Sequence, residues 1–260
     1  MISDTFSNPA QSERARRAAA IPGYFYREIA AGGFSRRDGT LQFYARVNAL
    51  LDGRMIVLDL GAGRGVLSEC SAPALRRLVN LRGKARQVVG IDVDPAVSSN
   101  PLVDCAVVYD GQKIPLDSES VDLIVSDHTF EHISDPSIFA REIHRVLKPG
   151  GWICARTPYI ASLHAIGSMI AGNSRHVRLL KLVQPMREEA DVFPTAYLLN
   201  SHRAIRRWFP AEKWTNASYT WTPEPSYYFA SKALFWLLLM YYLAKQPLFG
   251  EVLLVFLKKK

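Results

Sequence analysis

Short apolar runs alternate with longer stretches of helical spacing through the middle of the chain. Met55–Leu60, Gln87–Asp92, Cys105–Tyr109, Val121–Ser126 and Trp152–Arg156 read as strands. Residues 66–81 and Ile138–Leu147 carry helical spacing between them, and Lys148-Pro149-Gly150-Gly151 stops the second helix. Such alternation predicts a parallel sheet with helices on both faces. Upstream, residues 1–12 read as a flexible tail. Glu13–Ala31 and Phe34–Leu51 have helical spacing, broken by Gly32-Gly33, and are expected to pack over the sheet edge or the site. Beyond Thr157-Pro158 the pattern loosens. Two helices are expected within 160–200, a helix over Ser201–Trp208 with Ser201 as its N-cap, a weak strand over Lys213–Trp221 and a closing strand over Glu251–Leu257. The expected division is an N-terminal helical extension (1–52), a ligand-binding core (53–158), a helical insertion (159–212) and a sheet-completing part with an apolar helix (213–260).

The apolar helix raises a separate question. Ala233–Ala244 is twelve residues without a charge. A membrane span needs about 20 apolar residues, so the run suits a buried helix, an interfacial helix or part of a hairpin. Charge bears on the choice. Lys and Arg number 32 against 24 Asp and Glu, a net charge of +8, and the chain ends Lys258-Lys259-Lys260. That surplus fits an ordinary basic surface, or contact with nucleic acid, anionic lipid or a phosphorylated substrate. No nucleic-acid module signature is visible, so no nucleic-acid partner is expected. Cys70, Cys105 and Cys154 are widely spaced, which fits a reducing compartment and core cysteines rather than a disulfide framework or zinc site. Residues 1–20 lack an apolar core, so no signal peptide is expected, and a cytoplasmic location follows.

The chemistry concentrates at the ends of the first strands. Val57-Leu58-Asp59-Leu60-Gly61-Ala62-Gly63-Arg64-Gly65 runs a strand into three glycines at alternate positions. Glycine lets a backbone approach a ligand closely, and strand, glycine loop and helix form the ligand corner of a doubly wound sheet. The spacing is G-x-G-x-G rather than the dinucleotide G-x-G-x-x-G. At the end of the second strand, Asp92 can accept from both hydroxyls of a ribose, while Asp94, just before Pro95, better suits a helix cap. Asp110-Gly111 after the third strand can read an adenine edge or form a plain turn. After the fourth strand, Asp127-His128-Thr129-Phe130-Glu131-His132 offers His132 as a general base or as a loop-fixing residue. His128, Glu131 and His132 spell H-x-x-E-H, but this stretch leaves a strand, whereas zinc hydrolysis needs both histidines on one helix face, so no metal is expected. His164, His176 and His202, with Tyr159, Tyr197 and Trp208, lie in the substrate region as either acceptor contacts or packing residues.

These motifs resemble the class I S-adenosylmethionine-dependent methyltransferases, in particular the small-molecule type 11 group. Val57–Gly65, Gly90–Pro95, Asp110–Leu116, Asp117–Ser126, Glu131–Pro136 and Leu147–Gly151 carry the resemblance, which spans about residues 50–160. It implies an α/β, doubly wound, seven-stranded, mostly parallel Rossmann-like sheet of order 3-2-1-4-5-7-6. It also implies S-adenosylmethionine as cofactor. By position, Asp59, Gly61 and Gly63 would lie along its methionine part, Asp92 on the ribose, Asp110 and Gly111 on the adenine, and Ser126 near the sulfonium. Related enzymes use E-x-x-E-H to hold a divalent metal; His128 stands here for the first Glu and weakens hard-cation binding. The segment between the glycine loop and Asp92 is longer than usual in the family. The function expected is methyl transfer to a small or lipid-like acceptor, at oxygen, with possible peripheral membrane contact through residues 233–257. The alternatives are a membrane-peripheral cofactor-binding protein without catalysis, and an RNA or protein methyltransferase. The latter lacks the N-P-P-Y or D-P-P-Y tetrapeptide after strand four, where Ser126-Asp127-His128-Thr129 stands instead.

Overall fold

Strand residues alternate between two apolar layers, which is what a sheet covered on both faces requires. The computed structural model describes residues 17–70, 72–171, 194–226, 228–245 and 250–260. Its strands are β1 (Ile56–Leu60), β2 (Gln87–Asp92), β3 (Cys105–Val108), β4 (Val121–Asp127), β5 (Leu147–Pro158), β6 (Trp214–Asn216), β7 (Tyr219–Trp221) and β8 (Val252–Lys259). Its α-helices are α1 (Pro22–Phe25), α2 (Gly39–Leu50), α3 (Pro73–Val79), α4 (Pro136–Val146), α5 (Leu163–Ala171), α6 (His202–Trp208) and α7 (Lys232–Lys245). Leu58, Leu60, Ile91, Ile124, Ile153, Val255 and Leu257 turn to the layer containing Phe139 and Ile143 of α4 and Ile205 of α6. Val57, Val88, Leu123, Val125, Cys154, Leu254 and Phe256 turn to the layer containing Phe43 and Val47 of α2 and Val79 of α3.

The strand order is β3-β2-β1-β4-β5-β8-β6, with β7 also paired to β8. β1 through β5 run parallel to their neighbours, and β8 is antiparallel to β5. The expected sixth strand is split. β6 pairs with the end of β8 and β7 with its start, because the Asn216 side chain accepts from Ser218 N at 2.8 Å and turns the chain between them. Counted as one broken edge, β6 and β7 restore the predicted seven-strand order.

Several local expectations change. The helix over 66–81 is a 3-10 turn at Val66–Glu69 followed by α3, with Pro73 in the first turn of α3. Lys148–Gly151 does end a helix, but it lies within β5 as a register shift against β4, and Gly150 takes φ +78°. Cys105 is exposed at the sheet edge rather than in the core, whereas Cys154 is buried. The terminal lysines are not a free basic tail. Lys259 Nζ is buried and donates to His144 O at 2.9 Å and Leu147 O at 2.7 Å, meeting carbonyls at the end of α4, and pairs with Glu119 at 3.2 Å.

The 233–257 stretch divides in two. Val252–Leu257 belongs to β8 and pairs with β5 in the core. The preceding helix α7 buries Phe235 and Tyr242 and leaves Trp236 and Leu237 half exposed, at 50% and 56%. It is therefore not the buried helix that its composition also allowed. No helix among the described residues is long and apolar enough to cross a membrane. This contrast of burial is measurable. Phe256→Ala, a truncation in the core, lowers stability by about 3–5 kcal/mol, whereas Leu237→Gln on the open face of α7 stays within about 0.5 kcal/mol. Chemical denaturation of the two variants checks both values.

Candidate active site at the carboxyl ends of the strands

At Gly61 and Gly65 the glycine loop is held by contacts that leave no room for a side chain. Gly61 N and Ala62 N both donate to Ile91 O, at 2.8 and 3.1 Å. Gly61 takes φ +74°, and a Cβ there would lie 2.1 Å from Thr129 Oγ1. Gly65 takes φ +78°, and a Cβ there would lie 2.3 Å from Asn100 Oδ1. Gly63, at φ +50°, has open space where its Cβ would stand, so the backbone there is bare toward the cleft. Asn100 clamps the loop from below: Nδ2 donates to Ala62 O at 2.8 Å and Gly63 O at 3.2 Å, while Oδ1 accepts from Leu102 N.

Asp92 is built into the same corner. Oδ2 accepts from Gly63 N at 2.8 Å and Oδ1 from Asp94 N at 2.9 Å. A carboxylate offers about four lone-pair sites, so both oxygens keep capacity for a diol. Asp94 takes the capping role expected of it, accepting from Ala96 N at 2.8 Å at the start of a 3-10 turn. Asp110 uses Oδ1 to accept from Gln112 N and Lys113 N, and Gly111 takes φ +78°. That turn lies one strand beyond Asp92 and is exposed. It is pinned to α4, where Glu142 accepts from Ile114 N and Arg145 donates to Ile114 O and Leu116 O. Ser126 is fully buried and donates to Leu60 O at 3.0 Å. It braces β4 against β1 behind the cleft wall.

A cleft of about 1290 Å³ opens over this edge, lined by Gly61, Gly63, Asp92, Asp127 and Glu131 and roofed by Thr40 and Tyr44 of α2. Its floor is acidic. Burial pushes the Asp59 carboxyl up to about 7, and the charges of Asp127 and Asp92 add to the push. Asp127 itself is tied to Arg156, whose Nε and Nη2 each donate at 2.6 Å. That guanidinium also stands 5.7 Å over the Phe43 ring and donates to Thr40 Oγ1 at 3.3 Å, so the pair fixes α2 above the cleft. Burial and the nearby carboxylates of Asp127 and Asp59 raise the Tyr44 phenol well above its ordinary value.

The loop after β4 carries the remaining polar groups. His128 takes φ +59°, an uncommon conformation for a side chain bearing a Cβ. Its Nδ1 lies 3.3 Å from Glu131 Oε1, and Thr157 Oγ1 donates to Glu131 Oε2 at 2.7 Å. Burial pushes the Glu131 carboxyl up, but the hydrogen bond and charge of His128, with His132 and Thr157, hold it below its ordinary value. His132 Nδ1 donates to Pro194 O at 2.8 Å. His128 follows β4 and His132 ends a 3-10 turn, so the H-x-x-E-H histidines do not share a helix face. Among the described residues, no three His, Cys, Asp or Glu side chains converge as metal ligands. Tyr159 and Trp208 pack on the main core and Tyr197 is buried, while His202 is half-buried beside Tyr159. His176 lies outside the described residues, as does the side chain of His164.

Sequence reasoning missed Glu224, which follows β7 and lines the cleft with Oε2 buried and without a hydrogen-bond partner. Burial raises its carboxyl despite a hydrogen bond from Ser35. No local motif announces such a residue. It also missed Asn100 and the Asp127–Arg156 pair, which join distant segments.

The methyltransferase-domain family of type 11 matches residues 58–155. The malonyl-[acyl-carrier protein] O-methyltransferase 1 of Coxiella burnetii is 32% identical over 126 residues, 47% of this chain and 40% of that protein. The ubiquinone biosynthesis O-methyltransferase of Pseudomonas syringae is 33% identical over 106 residues, 37% of this chain and 41% of that protein. The matches thus span about two fifths of these relatives. Among solved structures, a chain of the complex formed by the Haloferax volcanii Trm112 methyltransferase activator with a methyltransferase superposes with a TM-score of 0.55 at 17% identity, covering 93% of this chain and 96% of its own. An S-adenosylmethionine-dependent methyltransferase from Mesorhizobium loti gives 0.51 at 18% identity, covering 85% and 98%. These two likenesses show the fold.

Asp59 supplies a pH test. Its folded value of about 7 exceeds the unfolded value of about 4. Between the two, the folded chain keeps a proton that the unfolded chain has released, so this group makes stability fall as pH rises from about 4 to about 7. Denaturation of wild-type and Asp59→Asn across that range is expected to show a shallower fall in the variant; equal slopes contradict the assignment. The part of the chain that carries the glycine loop and the acidic strand ends, residues 58–155, is thus similar to the methyltransferase domain of type 11.

Proposed function

We propose that this chain transfers a methyl group from S-adenosylmethionine to a small or lipid-like acceptor, at oxygen. The observation that carries the proposal is one continuous cleft joining the glycine loop and Asp92 to Glu131, His132 and Glu224. At about 1290 Å³ it exceeds the roughly 300–1,000 Å³ typical of a site for one small ligand, which leaves room for an acceptor beside the cofactor. The names of the two O-methyltransferase relatives agree with oxygen as the target atom.

The residues fit the cofactor. The bare backbone at Gly63 receives a ligand without side-chain obstruction. Asp92 has lone pairs to spare for a ribose, and Asp110 with Gly111 would take the adenine. Asp59 places negative charge beside Gly61 and Gly63, toward the cationic methionine part. Ser126 would act through its bracing of β4 rather than by contact. When bound, S-adenosylmethionine supplies a methyl group activated by a sulfonium centre. The protein then has to align the acceptor and take its proton. Proton removal falls to His132, which lines the cleft and whose ring is oriented by the bond from Nδ1 to Pro194 O. Glu224 Oε2, buried and unpaired, would anchor a hydroxyl or amine of the acceptor. The lipid-like acceptor and peripheral membrane contact belong to this proposal, with support from α7 alone, since β8 and the terminal lysines are used by the fold.

Calorimetry with S-adenosylmethionine tests the cofactor assignment. Asp92→Ala is expected to weaken binding by about 10–100-fold, the cost of hydrogen bonds to a charged group, while circular dichroism stays unchanged. Unaltered affinity would overturn the ribose assignment. A cation arriving beside Asp59 lowers its pKa, so binding below about pH 7 should release protons, and titration in buffers of different ionisation enthalpy should lose that signal in Asp59→Asn. For the reaction itself, metabolite extracts incubated with the protein and methyl-labelled S-adenosylmethionine are expected to yield a labelled O-methyl product. Its absence, with cofactor binding intact, would favour the non-catalytic alternative.

A further inference from the structure

The cleft has a mouth whose rim the proposed reaction does not explain. Helix α7 packs one side of itself, through Phe235, onto Phe25 at 4.7 Å, Tyr26 and Tyr228. Its opposite side leaves Trp236, Leu237, Met240, Tyr241 and Leu243 exposed. These positions recur at three- and four-residue spacing, so they form one continuous stripe. Helix α5 adds exposed Ile166 and Met169. The two helices are tied together where α7 ends, since Lys245 Nζ donates to Ala161 O and to Glu251 Oε1, and Glu251 Oε2 accepts from Leu163 N at the start of α5. An apolar surface of this kind marks an interaction site.

Charge identifies the occupant. The cap formed by residues 17–37 and 228–245 carries Arg17, Arg27, Arg36, Arg37 and Lys232 against Glu28, with Arg36 paired to Glu28 and Lys245 taken up by Glu251. Lys232 sits 3.3 Å over the ring of exposed Tyr24, beside the stripe-bearing helix. A second copy of the chain docked face to face would bring like charges together, which disfavours that contact. An anionic lipid surface complements both features: apolar and aromatic side chains enter the acyl boundary, and the basic groups meet headgroups. At fourteen residues, α7 lies along such a surface rather than across it.

We propose that the exposed face of α7, with the adjoining face of α5, docks this protein on anionic membrane. Phe229, Ala230 and Tyr242 of the same cap line the cleft, so the docked protein opens its cleft beside the bilayer. Docking deepens the peripheral membrane contact of the proposed function, and its occurrence does not require methyl transfer.

Co-sedimentation with vesicles of phosphatidylcholine alone, and of phosphatidylcholine with phosphatidylglycerol, tests it. Wild-type protein is expected to bind the anionic vesicles, and to bind them less as salt increases. The triple variant Trp236→Gln, Leu237→Gln, Tyr241→Gln changes exposed positions and is expected to bind at least about tenfold more weakly, with unchanged melting temperature and S-adenosylmethionine affinity. Wild-type that ignores both vesicle types, or a variant that binds as well as wild-type, overturns the proposal. A wild-type dimer that becomes monomeric in the variant, without vesicle binding, assigns the face to a second copy and also overturns it. Because vesicle binding and cofactor affinity are measured separately, loss of one reading leaves the other standing.

Discussion

The site depends on a close approach of the Gly61 backbone to the Thr129 side chain. Here the chain leaves β1, turns through a positive φ and passes Thr129 with no space for a Cβ. Any side chain would push the glycine loop away from the loop after β4, and the cleft is formed between those two loops. The approach is held from three sides: Ile91 O accepts from the loop's first two amides, Asn100 holds its carbonyls and Asp92 takes the Gly63 amide. Left-handed turns at three glycines lower the strain of that path. Folding thereby fixes the position of Asp92 before any ligand arrives, which reduces the ordering cost of binding.

Electrostatics give the cleft its preference. Asp59, Asp92 and Asp127 stand together at the ends of three adjacent strands, and Arg156 compensates Asp127 with a two-pronged pair. The remaining acidity raises Asp59 toward neutrality. A cationic nucleoside relieves that repulsion, whereas a phosphate-bearing dinucleotide would add to it. The same Arg156 carries mechanical weight, since its contacts with Thr40 and Phe43 bind the roof helix to the sheet. Removing it would leave the Asp127 carboxylate without its guanidinium partner and the roof loose at once.

Much of this was legible in the sequence because it is local. Apolar alternation located β1 to β4 and β8 within two residues and only the second half of β5, and the glycines and Pro95 located the turns around Asp92. The rest depends on partners far apart in the chain. Asn100 looks like an ordinary polar residue near Pro101, yet its amide reaches back to residues 62 and 63. Lys259 reads as part of a basic tail until its ammonium is seen meeting the carbonyls of His144 and Leu147. The apolar run 233–257 reads as one feature, but strand pairing claims its second half and leaves the first half on the surface. Glu224 has no neighbouring motif; folding alone brings it to the cleft.

A structure of the complex with S-adenosylhomocysteine tests the central claim most directly. The ribose hydroxyls are predicted at about 2.6–3.0 Å from the Asp92 carboxylate, with the bond from Gly63 N retained and the amino-acid portion beside Gly61 and Asp59. A nucleoside bound away from Asp92, or a glycine loop displaced to admit it, would contradict the claim.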